Sequence, residues 1–232
     1  MKVKVLGKYG PYGKAGVGAA SGYLVHDEGF NLLLDMGSGV LSRLIAEIDV
    51  RNLDGVFISH LHYDHTSDLL PFKYLLEEIP LKVKIYTQKD DSEWYKILFD
   101  DPLFEVVNVD KDTVLNIKGK KITFYEMNHP VPDLGIRIED EKGVFAYTGD
   151  TRYNENLKPL LSGASAAIVD CSKPEVFIGG HMRAVEGKRI KKEIPIKLLI
   201  ASHASPDYDP TPEFEGVEGI VFAREFAEYD IE

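Results

Sequence analysis

The sequence predicts an α/β protein in which two mixed β-sheets pack face to face and helices cover their outer surfaces. Strand-like apolar runs alternate with helix-like segments along the chain, but the helices are fewer than a strict strand–helix alternation would supply. Five of the apolar runs end at a side chain suited to chemistry, namely His60, His129, Asp150, Asp170 and His203. Since α/β proteins gather functional groups at strand ends, we expect these five residues on one rim.

The composition is that of an ordinary globular protein. The chain has 232 residues, of which 44% are hydrophobic and 28% charged, enough for a substantial core. No linker or repeat interrupts it, so we expect a single domain over residues 1–232. No apolar run has the ~18 to 20 residues that a membrane span needs, and the first residues lack the apolar core of a secretory signal.

The charge and the cysteine usage bear on partners and location. The formal net charge of −11 repels nucleic-acid backbones, because duplex binding depends on Lys and Arg neutralising phosphates. A basic run at residues 187–197 is interpreted as the solvated face of an amphipathic helix. Cys171 is the only cysteine, which fits a reducing cytoplasm. We therefore expect a cytoplasmic protein that binds neither a membrane nor a nucleic-acid polymer.

The first half of the chain contains three early strands and three helices. The strands are "KVKVL", "GYLVHDE" and "NLLLDMG", and "VLSRLIAEI" is a helix. The buried strand "GVFISH" follows, and then "PFKYLLEEI", a helix beginning at its proline. After the strand "LKVKIYT", the helix "SEWYKILF" has Ser92 as its N-cap.

The second half adds five strands, "KITFYEMNH", "GIRIEDE", "GVFAYTGD", "ASAAIVDCS" and "IKLLIASH". The glycine-rich stretch 7–22 joins the first two strands of the chain. It is either a loop over a cleft, with Lys8, Tyr9, Tyr12 and Lys14 near a substrate, or an ordinary hairpin connection. It does not match the Gly-x-Gly-x-x-Gly pattern of dinucleotide binding.

Residues 60–65, "HLHYDH", contain three of the seven histidines. In an extended chain, alternate residues point to the same side, so His60 and His62 would face one cation. Asp64 continues this period and His65 departs from it, so the two could bind a second cation. Imidazole nitrogens and carboxylate oxygens suit Zn²⁺, Mn²⁺ or Fe²⁺, and the lack of thiolates argues against a closed structural zinc site.

Two metals need further ligands, for which the candidates are His129, Asp150, His181 and His203. Each alone could be structural, and the aspartate of "TGDT" could merely cap a turn. An aspartate between two cations would neutralise charge and fix their spacing. His26 and Cys171 are instead interpreted as structural.

These motifs resemble those of the metallo-β-lactamase superfamily. "HLHYDH" has the form His-x-His-x-Asp-His, and the isolated His129, the "TGDT" aspartate and the late "SH" histidine follow in that superfamily's order. The upstream "LLLDMGSG" resembles its first motif. The resemblance runs from residue 3 to about residue 223. "NHPVPDLGIRIE" and "GGHM" look most like the small hydrolases related to tRNase Z and the cyclic-phosphate phosphodiesterases.

The resemblance implies an αββα sandwich with the metals in a cleft along one edge. It assigns His60, His62 and His129 to one metal. It assigns Asp64, His65 and His203 to the other, with Asp150 between the two metals. It also implies that Asp35 braces the metal loop and that His181 supports the site or acts as a general acid.

One departure from the family separates this chain from tRNase Z proteins. Those proteins carry a tRNA-gripping arm between the third histidine motif and the bridging aspartate. Here the stretch between His129 and Asp150 is already used by two predicted strands and a turn. Together with the acidic net charge, this argues against processing of tRNA.

The resulting hypothesis is a dinuclear metal-dependent hydrolase, most simply a phosphodiesterase acting on a cyclic nucleotide or cyclic sugar phosphate. Two divalent cations, Zn²⁺ as first choice and Mn²⁺ or Fe²⁺ as alternatives, would activate water. Asp64 would help orient that water, and His181 would protonate the leaving alkoxide.

Three other functions stay open from the sequence. They are a tRNase Z-like endoribonuclease, a lactonase or thioesterase, and a metal-binding sensor without turnover. An apolar outer face would also allow a homodimer.

Overall fold

The computed structural model describes residues 1–100, 102–171, 173–174 and 179–232. Its two layers of strands are enclosed by helices, which confirms the predicted αββα architecture. The described part of the chain forms two sheets of seven strands each.

The first sheet and its helices come mostly from the first half of the chain. The strands are β1 (Lys2–Gly7), β2 (Gly22–Asp27), β3 (Phe30–Leu34), β4 (Gly55–Phe57), β5 (Val83–Thr87) and β6 (Phe104–Asn108). The helices are α1 (Val40–Glu47), α2 (Tyr63–Thr66), α3 (Leu69–Glu77) and α4 (Glu93–Phe99), with a 3-10 turn at Val50–Asn52.

The second half supplies the other sheet and one strand of the first. Its strands are β7 (Val114–Ile117), β8 (Lys120–Glu126), β9 (Leu134–Glu139), β10 (Val144–Tyr147), β11 (Ala166–Asp170), β12 (Leu198–Ser202), β13 (Ile220–Phe222) and β14 (Glu228–Asp230). The helices are α5 (Leu157–Leu161) and α6 (Ala184–Glu193), with a 3-10 turn at Thr211–Phe214.

The two sheets have the same mixed character. The first has the order β14-β1-β2-β3-β4-β5-β6, and the second β13-β12-β11-β10-β9-β8-β7. In the first sheet, β3, β4, β5 and β6 run parallel, and the remaining pairs are antiparallel. In the second, β10, β11, β12 and β13 run parallel. Each parallel half brings several strand carboxyl ends to one edge.

Three apolar layers hold the sandwich together, because successive strand residues point to opposite faces. Leu34 and Phe57 of the first sheet pack against Ile136 and Ile168 of the second in the layer between the sheets. The neighbouring Leu33 belongs to the layer beneath α1, α3 and α4. A third layer lies between the second sheet and α5 and α6.

Most sequence-predicted elements are present, with shifted boundaries. Ser92 caps α4 as predicted, with its side chain accepting a hydrogen bond from the backbone N–H of Tyr95 at 3.2 Å. The helix predicted to begin at Pro71 instead begins at Leu69, so the proline is its third residue. This position tolerates proline, because the N–H groups of the first helical turn have no intrahelical partner. The strands β6, β7, β13 and β14 were not predicted, and none exceeds five residues.

The remaining general predictions concern the helices and two structural residues. In the described part of the chain, no helix is long and apolar enough to cross a membrane. The basic run 187–197 overlaps α6 as expected. His26 forms a 3.1 Å surface pair with Glu228, and Cys171 is fully buried.

Candidate metal centre

The predicted rim exists at the carboxyl ends of the parallel strands. Asp35 follows β3, His60 follows β4, and Asp150 and His203 follow β10 and β12, while Asp170 ends β11. His129 comes from the loop after the antiparallel strand β8. Three groups of histidine and aspartate side chains converge here, with ligand atoms within 4.8 Å of one another in each group.

The first group consists of His60, His62, His129 and Asp150. Nε2 of His60 lies 3.0 Å from Nδ1 of His62. Nδ1 of His62 also lies 3.2 Å from Nε2 of His129. Oδ2 of Asp150 is 3.8 Å from Nε2 of His60. Ligand atoms about 2.0–2.1 Å from a tetrahedral zinc lie about 3.3 Å apart, so these spacings suit one cation.

The second group consists of Asp64, His65 and His203. Oδ2 of Asp64 lies 3.6 Å from Nε2 of His65 and 3.7 Å from Nε2 of His203. The same Asp150 oxygen that approaches the first group lies 3.5 Å from His65 and 3.2 Å from His203. One carboxylate oxygen therefore faces both groups.

The prediction that residues 60–64 form one extended chain is wrong. His62 has extended backbone and stands at the N-cap of α2, whose four residues Tyr63–Thr66 are helical. Asp64 therefore points to the site because a helical turn begins before it, and not through the period-two alternation of a strand. The motif therefore divides into an extended part that carries His60 and His62 and a helical part that carries Asp64 and His65. Each part supplies one of the two donor groups.

The donor set fits divalent cations. Asp64 Oδ2, His65 Nε2 and Asp150 Oδ1 are among the buried polar atoms without a hydrogen-bond partner in the described structure. Unpaired buried carboxylate and imidazole atoms are costly, and cations at these positions would satisfy them. Nitrogen and oxygen donors without sulfur match Zn²⁺, Mn²⁺ or Fe²⁺.

The protonation states of four of the five donor histidines also favour cations. Burial lowers the pKa of His60 to about 4 and that of His129 to about 4, and it lowers the pKa of His62 and His203 as well. These imidazoles are therefore neutral at pH 7, as metal ligands must be. Burial alone would also lower the pKa of His65, but the surrounding carboxylates, Asp150 foremost, raise it well above 6.5. In the protein without metal, His65 thus holds a proton that a cation would replace.

Asp35 braces the second group, as the resemblance implied. Its Oδ2 accepts hydrogen bonds from Nδ1 of His65 at 2.7 Å and from the hydroxyl of Tyr147 at 2.6 Å. It also accepts from the hydroxyl of Ser59 at 2.8 Å. Asp35 has a φ of 58°, a left-handed backbone that non-glycine residues seldom adopt. Such hydrogen bonds fix the tautomer and orientation of a metal-binding imidazole.

Three other contacts of this kind, which the sequence did not predict, hold three of the other histidines. Asp133 Oδ2 lies 2.7 Å from Nδ1 of His60, and Ser21 Oγ lies 3.1 Å from Nδ1 of His203. The carbonyl oxygen of Gly180 lies 3.2 Å from Nδ1 of His129. For Asp133 the sequence offered one signal, an aspartate directly before the apolar run "LGIRIE". Nothing local marks Ser21 or Gly180, because they meet the histidines only through the fold.

His181 lies beside both donor groups. Its ring centroid is 5.4 Å from that of His129 and 5.0 Å from that of His203. Its Nδ1 lies 2.9 Å from Oδ2 of the buried Asp170 and 3.6 Å from Oδ2 of Asp150. Burial opposes the charged imidazole, but the Asp170 carboxylate and its hydrogen bond outweigh this effect and raise the pKa of His181 above 6.5. His181 also belongs to the third group of possible ligands, with Asp150 and His203.

The glycine-rich stretch 7–22 approaches the site at one residue. A Cβ built on Gly10 would lie 2.0 Å from Cε1 of His203, so only glycine fits there without displacing this ring. Lys8 and Tyr9 are buried, whereas Tyr12 is exposed. The loop therefore supports His203 from one side.

Two polar residues that follow candidate ligands in the sequence, Arg183 after His181 and Tyr208 after His203, have partners of their own. Arg183, at the N-cap of α6, contacts Glu186 at 3.0 Å, and the hydroxyl of Tyr208 contacts Glu213. These contacts hold both side chains to neighbouring acidic residues.

Comparison with known proteins agrees with this geometry. The family model described as the beta-lactamase superfamily domain matches residues 31–204. The probable metallo-hydrolase YhfI of Bacillus subtilis is 32% identical over 212 residues, covering 88% of this chain and 86% of that protein. Its crystal structure, titled a metallo-beta-lactamase fold protein, has a TM-score of 0.91 at 28% identity and 98% coverage of both chains.

Two more distant proteins are also similar. A ribonuclease Z of Saccharolobus islandicus is 24% identical over 90% of each chain. The crystal structure of a diphosphatase from the PhnP family has a TM-score of 0.81 at 19% identity, covering 100% of this chain and 98% of that chain. The match to the superfamily domain over most of the chain, together with the similarity to YhfI, shows that this protein is a metal-dependent hydrolase of the β-lactamase superfamily with the metallo-β-lactamase fold.

Proposed function

We propose that the protein is a phosphodiesterase that cleaves small phosphodiesters, of which a cyclic nucleotide or a cyclic sugar phosphate is an example. The observation that carries this proposal is the position of Asp150 Oδ2, within 3.8 Å of ligand nitrogens from both donor groups. A carboxylate oxygen that faces two donor groups suits a two-metal site of the kind that recurs in phosphatases and nucleases.

In this proposal the first cation is held by His60, His62 and His129, the second by Asp64, His65 and His203, and Asp150 lies between them. We propose Zn²⁺ as the metal, with Mn²⁺ and Fe²⁺ as alternatives. Bound cations would supply Lewis-acid activation of water and neutralise charge on the phosphoryl oxygens. The neutral imidazoles and the buried carboxylates would need little rearrangement to receive them.

His181 is the proposed proton donor to the leaving oxygen. Oδ2 of Asp170 lies 2.9 Å from Nδ1 of its imidazole and favours the protonated ring, the form that can donate a proton. Asp64, whose Oδ2 lies between His65 and His203, would help orient the attacking water. Proton transfer by a positioned side chain accelerates such reactions typically ~10²- to 10⁴-fold.

Two features favour a small substrate over an RNA polymer. The stretch between His129 and Asp150 consists of β9, β10 and their connections, which supports the expectation that no tRNA-gripping arm is inserted there. The net charge of −11 also opposes a polyanion. The names of the ribonuclease Z and diphosphatase relatives both denote cleavage at phosphorus, which favours phosphoester over lactone or thioester substrates.

Location and assembly complete the proposal. We propose a cytoplasmic location, which is consistent with the single cysteine being buried and not in a disulfide. A homodimer is proposed through the exposed apolar side chains of Leu70 and Tyr74 on α3 and Ile97 on α4.

The direct test is hydrolysis of bis(p-nitrophenyl) phosphate by protein stripped with a chelator and reloaded with Zn²⁺ or Mn²⁺. We expect turnover that depends on metal and is lost in Asp150→Asn, with metal content and folding measured alongside. p-Nitrophenyl acetate serves as the carbonyl control. A folded, metal-loaded protein that cleaves the acetate but not the phosphodiester would contradict the proposal.

A further inference from the structure

A cavity of about 270 Å³ opens directly beside the metal centre. Its walls come from three segments, residues 61–63 of the histidine motif, residues 131–132 of the loop after His129, and Asp90, Ser92 and Trp94 at the start of α4. His62 belongs both to this wall and to the first donor group. The cavity and the metal centre are therefore continuous through one side chain.

Two aromatic rings dominate the outer wall. The centroids of Tyr63 and Trp94 lie 4.9 Å apart with an interplanar angle of 73°. Tyr63 is 67% exposed, although it directly follows a candidate metal ligand. Trp94 is held in place by a hydrogen bond from Nε1 to the hydroxyl of Thr66 at 3.2 Å, and Thr66 in turn donates to the carbonyl of His62 at 3.0 Å. The indole is thus fixed relative to the metal motif.

The charges of the cavity select against an anionic substituent. Its described lining residues include no Lys or Arg, and Asp90 supplies a carboxylate. One oxygen of this carboxylate accepts the backbone N–H of Ser92 at 2.6 Å. A second phosphate would meet this charge without a cationic partner. A neutral planar ring would instead find apolar walls, an aromatic platform and a carboxylate that accepts hydrogen bonds.

We propose that this cavity binds the uncharged ring of the substrate, a nucleobase or an aryl group, while the phosphoester lies at the metal centre. This inference rests on the proposed phosphodiesterase function and specifies its substrate class as esters that carry a planar ring. Tyr63 and Trp94 would determine specificity by stacking, since every base or aryl group has a π-face.

Trp94 allows ring binding to be measured without turnover, because it is the single tryptophan of the chain. In metal-loaded protein we expect saturable quenching of its fluorescence by adenosine or by phenyl phosphate. Ribose and methyl phosphate, which lack a ring, should leave the fluorescence unchanged. Quenching by adenosine alone assigns the cavity to nucleosides, and quenching by phenyl phosphate alone assigns it to aryl esters. Quenching by neither overturns the proposal.

Kinetics with matched esters give a second measurement. Bis(p-nitrophenyl) phosphate and methyl p-nitrophenyl phosphate share a leaving group and differ in the second substituent. In Tyr63→Ala we expect the ratio of their kcat/KM values, ring ester over methyl ester, to fall about tenfold, as the loss of one stacking contact would cause. Phe226→Ala is the matched control, since Phe226 is 53% exposed and lies outside the cavity. An unchanged ratio in Tyr63→Ala would contradict the role of this ring.

The two measurements separate this inference from the proposed function. Phosphodiester turnover with no quenching and an unchanged ester ratio would leave the phosphodiesterase standing and remove the ring site. The opposite outcome is a protein without phosphodiester turnover in which quenching occurs and weakens in Tyr63→Ala. This outcome would support the ring site and contradict the proposed phosphodiesterase activity. Metal content is measured for each variant, because Tyr63 neighbours His62.

Discussion

Oδ2 of Asp133 lies 2.7 Å from Nδ1 of His60 and accepts a hydrogen bond from the backbone N–H of Asp150 at 3.1 Å. One buried carboxylate oxygen therefore orients a candidate ligand of the first donor group and the backbone of the residue between both groups. The close approach is possible because Gly149 lacks a side chain, since a Cβ there would lie 2.3 Å from Oδ1 of Asp133.

Replacing Asp133 should weaken metal binding although it is not a ligand. We expect Asp133→Asn, which keeps one acceptor oxygen, to reduce affinity about tenfold, and Asp133→Ala, which removes the acceptor, to approach ~100-fold. Competition with a chromogenic chelator measures both affinities. Exposed Asp112, replaced by Asn, is the control. Equal affinities in all three variants and the native protein would show that Asp133 has no orienting role.

A methyl group at Gly10 should disturb the second donor group from outside it. In Gly10→Ala the new Cβ collides with the His203 ring, so we expect one equivalent of metal to be lost or bound at least ~10-fold more weakly. Gly16→Ala, in the same loop, strains a backbone with a φ of 80° but meets nothing within 4 Å, so it should keep its full metal content. Metal analysis after gel filtration checks this, and full occupancy in Gly10→Ala would mean that the ring can move without losing its ligand geometry.

The role of His181 can be tested by comparing how far His181→Ala slows the hydrolysis of esters with good and with poor leaving groups. If it protonates the leaving oxygen, His181→Ala should barely change hydrolysis of p-nitrophenyl esters, because p-nitrophenolate leaves without help. Esters of poor alkoxide leaving groups should slow by ~10²- to 10⁴-fold. Asp170→Asn should show a smaller effect of the same kind, since Asp170 acts through His181. Loss of bound metal in His181→Ala would identify it as a ligand instead.

Lys120 is a predicted stability determinant far from the metal centre. It is 6% exposed, and its ammonium contacts Asp27 at 2.5 Å and Asp140 at 2.9 Å, tying β2 of the first sheet to the end of β9 in the second. Lys120→Met leaves two carboxylates without their cation and should lower the free energy of unfolding by about 1–3 kcal/mol. Urea denaturation measures this, with Lys2→Met, an exposed pair, as the control.

The Lys120 effect should depend on pH in a defined direction. The pKa of Asp140 is lowered from 3.8, because its hydrogen bonds with Lys120 and with the backbone N–H groups of Lys142 and Gly143 outweigh the effect of burial. The pKa of Lys120 is raised above 10.5, since its two carboxylate partners likewise outweigh burial. The stabilisation is therefore complete between about pH 5 and pH 9 and shrinks as pH falls below 3.8. A difference between Lys120→Met and native protein that stays constant down to pH 3 would contradict this.

Much of the site was predictable because metal-binding motifs are local. The spacing of His60, His62, Asp64 and His65 predicts a cluster of metal donors, and the structure brings these side chains into two groups of possible ligands. Strand ends at His129, Asp150 and His203 were also visible, because apolar runs stop at polar residues. The error over the backbone of residues 60–64 arose because a single helical turn carries no periodic signal.

The sequence by itself determined the layered α/β architecture and the donor types, because these depend on apolar patterning, residue identity and short spacing. The class of chemistry came from the resemblance of its motifs to those of the metallo-β-lactamase superfamily. Tertiary structure alone decided which partners brace the donors, since Ser21, Asp133 and Gly180 lie far along the chain from the histidines they contact. It also decided that Gly10 must be glycine, because only the packed loop brings it against His203. The aromatic cavity likewise exists only where α4 meets the histidine motif, since packing between distant segments sets its shape.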